Sequence, residues 1–364
     1  MNRTLPRWAD IILIPLLNLA LAILVAGLVV LFIGEDPLRA MTLIIQGAFT
    51  PNGIGFTLYY TTNFIFTGLA VAVAFHARLF NIGGEGQAAM AGVGVALVCL
   101  AFDWPHWSLA LLAAMAGGML FGAGWAAIPA YLQAKRGSHI VITTIMFNLI
   151  AASIINFLLV GPMQAPGSSP ETRSFPDGAS LPTLHDMLGV IGVNFDRHAP
   201  VNISLFVALI ACVLVWLLIW KSRIGYEIRA FGHSDKAAVY AGISPLKITM
   251  IAMLISGALA GLMAINTVMG EAERLVLDAV QGAGFVGIAV ALMGRNHPLG
   301  VVLAAFLFGI LYQGGSELAF EMPGISREMI VVIQGLVILF TGSLENLVRI
   351  PVSKLFLRFR KGDA

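Results

Sequence analysis

The chain reads as an all-α membrane protein of about ten transmembrane helices, set by its composition and by the length of its apolar runs. Hydrophobic residues make up 59% of it and charged residues only 11%, against roughly 25% charged in an ordinary soluble domain. Mean hydropathy is +0.90. A soluble core of this length could not hide so much apolar surface, so lipid must solvate most of the chain. The apolar residues also gather into ten runs, most of them near the roughly 20 residues that a helix needs to cross the hydrocarbon core. A third observation, the uneven sharing of lysine and arginine between alternate loops, orients the whole.

In order, the predicted spans are about 10–33, 55–75, 85–103, 107–131, 139–160, 201–220, 245–266, 275–294, 299–316 and 326–346. Ala20-Leu21-Ala22 resembles a cleavage site. The apolar run continues well past it, beyond the roughly 7–15 residues of a signal-peptide core, so it is read as a retained first span. The eighth and ninth spans are short, close together and rich in glycine. With the N-terminus inside, sixteen of the 21 lysines and arginines face the cytoplasm. Five, Arg39, Arg173, Arg197, Arg274 and Arg327, face out. Cytoplasmic loops carry such an excess, so both termini are expected to be cytoplasmic. The chain is then a single transmembrane domain, 1–364, with three segments outside the bilayer. Residues 161–200 form an outer loop with six prolines, and residues 221–244 a polar inner loop. The tail, 349–364, sets Leu355, Phe356 and Phe359 among basic residues and is expected on the inner membrane surface.

Several function classes fall away. A net charge of +2 suggests no nucleic-acid partner. Cys99 and Cys212 lie in apolar runs as packing residues, and the histidines have no metal-ligand spacing. There is no GxxxxGK[ST] loop to cradle ATP and no HExxH. Nothing pairs a nucleophile with a base, so no catalytic residue, metal or cofactor is expected. The spans carry almost no charge: Glu85 sits at the inner end of the third and Asp278 near the outer end of the eighth. Proton- and voltage-driven machines carry ionisable residues deep in the bilayer. Their scarcity argues against a proton-coupled carrier and for an uncharged solute. Asn18, Asn63, Asn148, Asn156, Gln281 and Gln334 are candidates for interhelical hydrogen bonds or for a polar pathway.

Gly118 with Gly122, and Gly257 with Gly261, are GxxxG pairs and candidates for close helix crossings. At an offset of 217, Ala72, Val73, Ala74, Arg78, Gly83, Ala88 and Gly92 match Ala289, Val290, Ala291, Arg295, Gly300, Ala305 and Gly309. That is either an internal repeat or chance between helices rich in alanine and glycine.

Two motifs carry the functional argument. Residues 80–87, FNIGGEGQ, place Phe80, Asn81, Gly83, Gly84, Glu85 and Gln87 between the second and third spans. Paired glycines permit a sharp turn, and Glu85 suits the start of the third helix. The segment reads either as a capped turn at the membrane face or as a broken helix lining a cavity. The second motif is the inner loop Gly232, His233, Ser234, Asp235, Lys236, Ala237, Ala238, Val239, Tyr240, Ala241, Gly242. Ser234 is a good N-cap, the alanines favour helix, and Gly242 suits the position after the helix end. A helix of about two turns results, with Ala237, Ala238 and Ala241 as a smooth docking face and Val239 and Tyr240 as anchors. The alternative is a solvated connector.

FNIGGEGQ, GHSDKAAVYAGIS and the later GIAVALMGRNHPLG (287–300) together resemble the permeases of bacterial ABC importers of the branched-chain amino acid and ribose type. They look most like the longer of the paired permeases in the nucleoside and simple-sugar subgroup. The resemblance covers about 10–346. It implies the type II importer permease fold, with ten helices, in the bacterial inner membrane. It also implies a second permease of different sequence packed alongside, a cytoplasmic ATPase gripping residues 234–242, and an external substrate-binding protein. That fold is described with inverted halves, whereas the offset match relates segments of one orientation, so the resemblance lends the match no support. The expected function is a gated pathway for a neutral solute, a nucleoside first and a simple sugar second. Residues 80–87 would form the pathway or gate, and Asn148 is a candidate solute contact. An ion-coupled secondary transporter is the rival, and a lipid-modifying membrane enzyme a more distant one.

Overall fold

The computed structural model describes residues 6, 9, 13–190, 192, 195–340 and 348–354. Its α-helices are α1 (Ile14–Phe32), α2 (Pro37–Phe49), α3 (Gly53–His76), α4 (Gly84–Ala101), α5 (Trp107–Arg136), α6 (Ile140–Val160), α7 (Leu184–Gly189), α8 (Ser204–Trp216), α9 (Arg223–His233), α10 (Asp235–Tyr240), α11 (Pro245–Ala264), α12 (Ala283–Met293), α13 (Pro298–Glu321) and α14 (Arg327–Ile338). π-helical turns prolong α8 to Lys221 and α11 to Glu271. Among the described residues, α3, α4, α5, α6, α8, α11 and α13 are long and apolar enough to cross a membrane. The all-helical membrane class predicted from composition is the observed one.

The three other predicted spans are built differently. After α1 the chain bends by 118° into α2, which lies in the stretch between the first and second predicted spans, where no helix was predicted. Asp36 caps α2 by accepting from the Leu38 amide at 2.8 Å, with Pro37 at the first helical position. At 13 residues, α2 is too short to span, so a search for long apolar runs passes over it. The eighth span keeps only 11 helical residues, α12, behind an irregular lead-in. The tenth begins as α14, and residues 341–347 lie outside the described part. So do residues 355–364, which hold the apolar and most of the basic residues of the expected amphipathic tail.

The chain divides into two compact units. One comprises Met1–Thr50 and Ile310–Ala364. Its core joins Ala26 and Val30 of α1, Ala40 of α2, Leu318 of α13, Met322, Ile325, and Ile330 and Ile333 of α14. The other, Pro51–Gly309, contains both functional motifs. Its most buried helix is α3. Here α11 runs antiparallel to α3, with Ser256 against Ala70 and Asn266 against Tyr59 and Asn63.

The two GxxxG pairs meet each other. A β-carbon on Gly122 would stand 2.3 Å from the Gly257 carbonyl oxygen, and one on Gly118 would stand 3.0 Å from that of Gly261. They form one crossing between α5 and α11, closed by backbone against backbone. Alongside it, Gly94 of α4 and Gly117 of α5 press each other's carbonyl oxygens in the same way.

The offset match also has a local cause. Arg78 and Arg295 both take left-handed backbone, at φ 56° and 52°. Around each, equivalent amides bond back into the preceding helix: Leu79 to Ala74 and Asn296 to Ala291, each bridging five residues. Thus α3 and α12, packed side by side, end in the same turn.

Gly257→Ala should place a methyl 2.4 Å from the Gly122 carbonyl oxygen and cost about 1–3 kcal/mol through overpacking. Gly124→Ala, whose methyl would enter open space, should be nearly neutral. Thermal unfolding of the two purified variants in one detergent checks the contrast.

Candidate functional site

The middle of the Pro51–Gly309 unit holds two broken helices. Beyond α3, residues 77–83 turn back along the bundle, and α4 starts only at Gly84. Beyond α11, residues 272–282 descend without regular structure, and α12 starts at Ala283. The two starts are adjacent: a β-carbon on Gly284 would stand 2.2 Å from the Glu85 amide nitrogen. Gly287 lies against Thr67, which puts this meeting point level with the middle of α3. From there α12 runs parallel to α3 and α4 runs the opposite way. Glu85 therefore stands mid-bundle, where the sequence suggested the inner end of a span.

Two helix N-termini side by side concentrate unpaired amides and partial positive charge. Glu85 meets both needs. It belongs to the first turn of α4 and accepts from the α12 start, Oε1 from the Gly282 amide at 2.9 Å and Oε2 from the Gly284 amide at 2.8 Å. Gly282 has φ 79°, the left-handed conformation that turns its amide toward the carboxylate.

The remaining polar residues of the motif lock the break. Asn81 and Gln87 are buried and exchange reciprocal amide hydrogen bonds at 2.9 and 3.1 Å. Asn81 also accepts from the Gly83 amide and donates to the Ser256 hydroxyl at 2.8 Å, which in turn donates to the Ala70 carbonyl at 2.7 Å. Phe80 packs edge-on against Phe75. Asn148 of α6 clasps the segment from its other side: Oδ1 accepts from the Gly86 amide at 2.9 Å, and Nδ2 donates to the Ile82 carbonyl at 3.0 Å.

A cavity of about 310 Å³ opens beside this junction, near the lower end of the roughly 300–1,000 Å³ of small-molecule sites. Glu85, Gly86 and Ala89 of α4, Asn148, Ala152 and Ile155 of α6, and the stretch 275–280 line it. Of the sequence candidates, only Glu85 and Asn148 reach it. Phe80, Asn81, Gly83, Gly84 and Gln87 shape the backbone behind it. Sequence reasoning placed 275–280 within the eighth span and noted Asp278 there, but did not assign either to the site. The available signal was a lone acid in an apolar run just before Gly282.

That wall is held from the long loop. Thr172 donates its amide to the Leu275 carbonyl at 3.0 Å and accepts from the Leu275 amide. Phe175 donates to the Glu273 carbonyl at 2.8 Å, and Arg274 pairs with Glu171 at 3.2 Å. Ser180 also hydrogen-bonds Glu273.

At the far end of α3 stands the inner-loop motif. The Ser234 hydroxyl caps α10 by accepting from the Ala237 amide, and Gly242 follows the helix end at φ 79°. Asp235, Lys236, Ala237, Tyr240 and Ala241 are exposed, Tyr240 at 96%. Ala238 is buried, a correction to the docking face read from sequence: at this helical phase it points back onto the protein. His233 bonds its own helix at the Arg229 carbonyl. Gly232 packs directly on the His76 carbonyl that ends α3. Trp220 contacts both His76 and His297, at ring separations of 5.2 and 5.0 Å.

Residues 53–342 match the family described as branched-chain amino acid transport system / permease component. The chain belongs to that family. It is 37% identical to a guanosine ABC transporter permease of Bacillus subtilis, across 91% of this chain and 93% of the relative. A second guanosine ABC transporter permease of the same organism is 28% identical, across 70% and 78%. A glucose ABC transporter permease of Haloferax volcanii is 33% identical, across 100% and 93%. This permease is thus a transporter subunit and not an enzyme, and the ion-coupled reading falls away.

Glu85→Ala should orphan the amides of Gly282 and Gly284, at about 1–3 kcal/mol each, and lower the unfolding temperature of the permease in detergent. Glu85→Gln, with one acceptor oxygen, should recover roughly half of that loss.

Proposed function

We propose that this permease is the longer of two in an ABC importer of neutral, polyhydroxylated solutes, nucleosides first. One observation carries the reading: two half-helix starts meet mid-bundle, neutralised by Glu85, beside a cavity of small-molecule size. Irregular backbone at membrane depth is tolerated where it lines a cavity, and opposed half-helices mark solute sites in other transporter folds. The guanosine relatives favour a nucleoside. The glucose relative, similar along the whole chain, supports a simple sugar as the second reading. Two guanosine permeases in one organism support a paired, unlike permease here.

In this reading the N- and C-termini are cytoplasmic, the membrane is the bacterial inner membrane, and α10 is the peg gripped by a separate ATPase. Ala237, Val239, Tyr240 and Ala241 offer the exposed contact surface. Motion of α10 passes to α9, and Gly232 then bears on the end of α3 with no side chain between to absorb it. Trp220 carries the same displacement to the turn after α12. Because the α3 end leads into residues 77–83 and α12 starts at the cavity, displacement there reshapes the site. The loop 161–200 is external, offers its surface to a substrate-binding protein, and bonds directly to the cavity wall. ATP binding and hydrolysis favour one arrangement over another through differential affinity.

Reconstitution in proteoliposomes tests the proposal. With its ATPase, paired permease and binding protein, the permease should take up a radiolabelled ribonucleoside or glucose only with ATP. The permease alone should take up neither. Gradient-driven uptake by the isolated chain would refute the reading. Ala237→Glu should leave the permease in the membrane yet reduce ATP-driven uptake roughly tenfold or more, the effect of losing about 1.4 kcal/mol at the docking surface. Co-purification of the ATPase should fall in parallel.

A further inference from the structure

Three polar side chains line the cavity, and two are already engaged. Glu85 has an amide on each carboxylate oxygen, and Asn148 spends its oxygen on Gly86 and its nitrogen on Ile82. Asp278 is different. It lines the same cavity and is exposed, and among the described residues its carboxylate has no hydrogen-bond or ion-pair partner. It shares that cavity with the Glu85 carboxylate. Its backbone is left-handed, at φ 55°, which costs an aspartate energy. A packing role would be met without the charge and without the strain.

We propose that Asp278 is the specificity-determining residue of the pathway and recognises a vicinal diol on the solute. An ionised carboxylate offers two oxygens and no donor. Two neighbouring hydroxyls on one ring can each donate to one oxygen, giving a bidentate, charge-assisted pair. The rest of the lining, Ala89, Ala152, Ile155 and Val280, gives the flat ring faces apolar contact. A neutral solute adds no charge to the site, and its hydroxyls disperse the repulsion between the two carboxylates. Ribonucleosides and pyranose sugars share this diol, so one group would serve both solute classes of the proposed function, on which the inference rests.

The experiment uses the complete reconstituted transporter and ATP-driven uptake of three probes: guanosine, 2′,3′-dideoxyguanosine and D-glucose. Asp278→Asn and Asp278→Gly both suit left-handed backbone, and their thermal unfolding temperature in detergent should be no lower than the parent's. The parent should prefer guanosine over the dideoxy analogue. Both variants should lose roughly ten- to a hundredfold in guanosine uptake at limiting concentration, as expected for a hydrogen bond to a charged group. Dideoxyguanosine uptake should stay within about twofold, so the preference collapses. An intact preference in both variants, or equal loss for guanosine and its dideoxy analogue, overturns the role of Asp278 while the importer reading stands. Absence of ATP-driven uptake of guanosine and glucose by the parent overturns both.

Discussion

In a hydrocarbon medium every buried backbone amide needs a partner inside the protein, and this permease breaks two helices in the middle of its bundle. The break is tenable because one carboxylate stands where two helix starts meet. Glu85 supplies acceptors for the amides of Gly282 and Gly284 and opposes the partial positive charge of both helix ends. A buried carboxylate alone would be costly. Two unanswered helix starts alone would be costly as well. Their pairing lets residues 77–83 and 272–282 reach the interior as irregular chain, and the cavity exists because that chain is irregular.

Much of the fold was legible because the relevant signals are local. Spans with twenty-odd apolar residues declare themselves by length, and seven of the predicted ten appear as long helices with ends shifted by a few residues. The α10 helix is equally local: a serine cap, a run of alanines and a closing glycine specify it without reference to the rest of the chain. The failures have a common origin. Neither α2 nor α12 is long enough to declare itself as a span, and the 275–280 stretch is as apolar as a helix although it is not one. Nothing in its own composition says that Glu85 and the loop bonds at Thr172 and Phe175 hold it open.

For the candidate site, the sequence identified the right segment but could not divide the labour within it. Asn81, Gln87 and Asn148 carry amides suited equally to a solute and to a neighbouring backbone. Only the packing decides, and it commits the amides of all three to protein partners. Glycines divide in the same way. In FNIGGEGQ they permit the break, whereas in the two GxxxG pairs they bring α5 and α11 into backbone contact. The four-residue spacing identifies a candidate crossing but not its partner. That the two candidates partner each other is a fact of tertiary structure.

These two uses of glycine divide the Pro51–Gly309 unit by stiffness. Where α4, α5 and α11 cross, the backbones approach with no room for even a β-carbon between them, and such close-packed contacts resist relative sliding. Those helices must move together if they move. The cavity wall is held otherwise, by discrete hydrogen bonds from Glu85 at one end and from the loop at the other. Such bonds can exchange partners with water or solute at little net cost, whereas interlocked backbone cannot. A pathway that must open without unfolding needs such a division, a rigid frame carrying a wall that can be released. Here the 275–280 wall answers to both sides of the bundle: Glu85 is reached from the α3 end on which Gly232 bears, and Leu275 is reached from the loop.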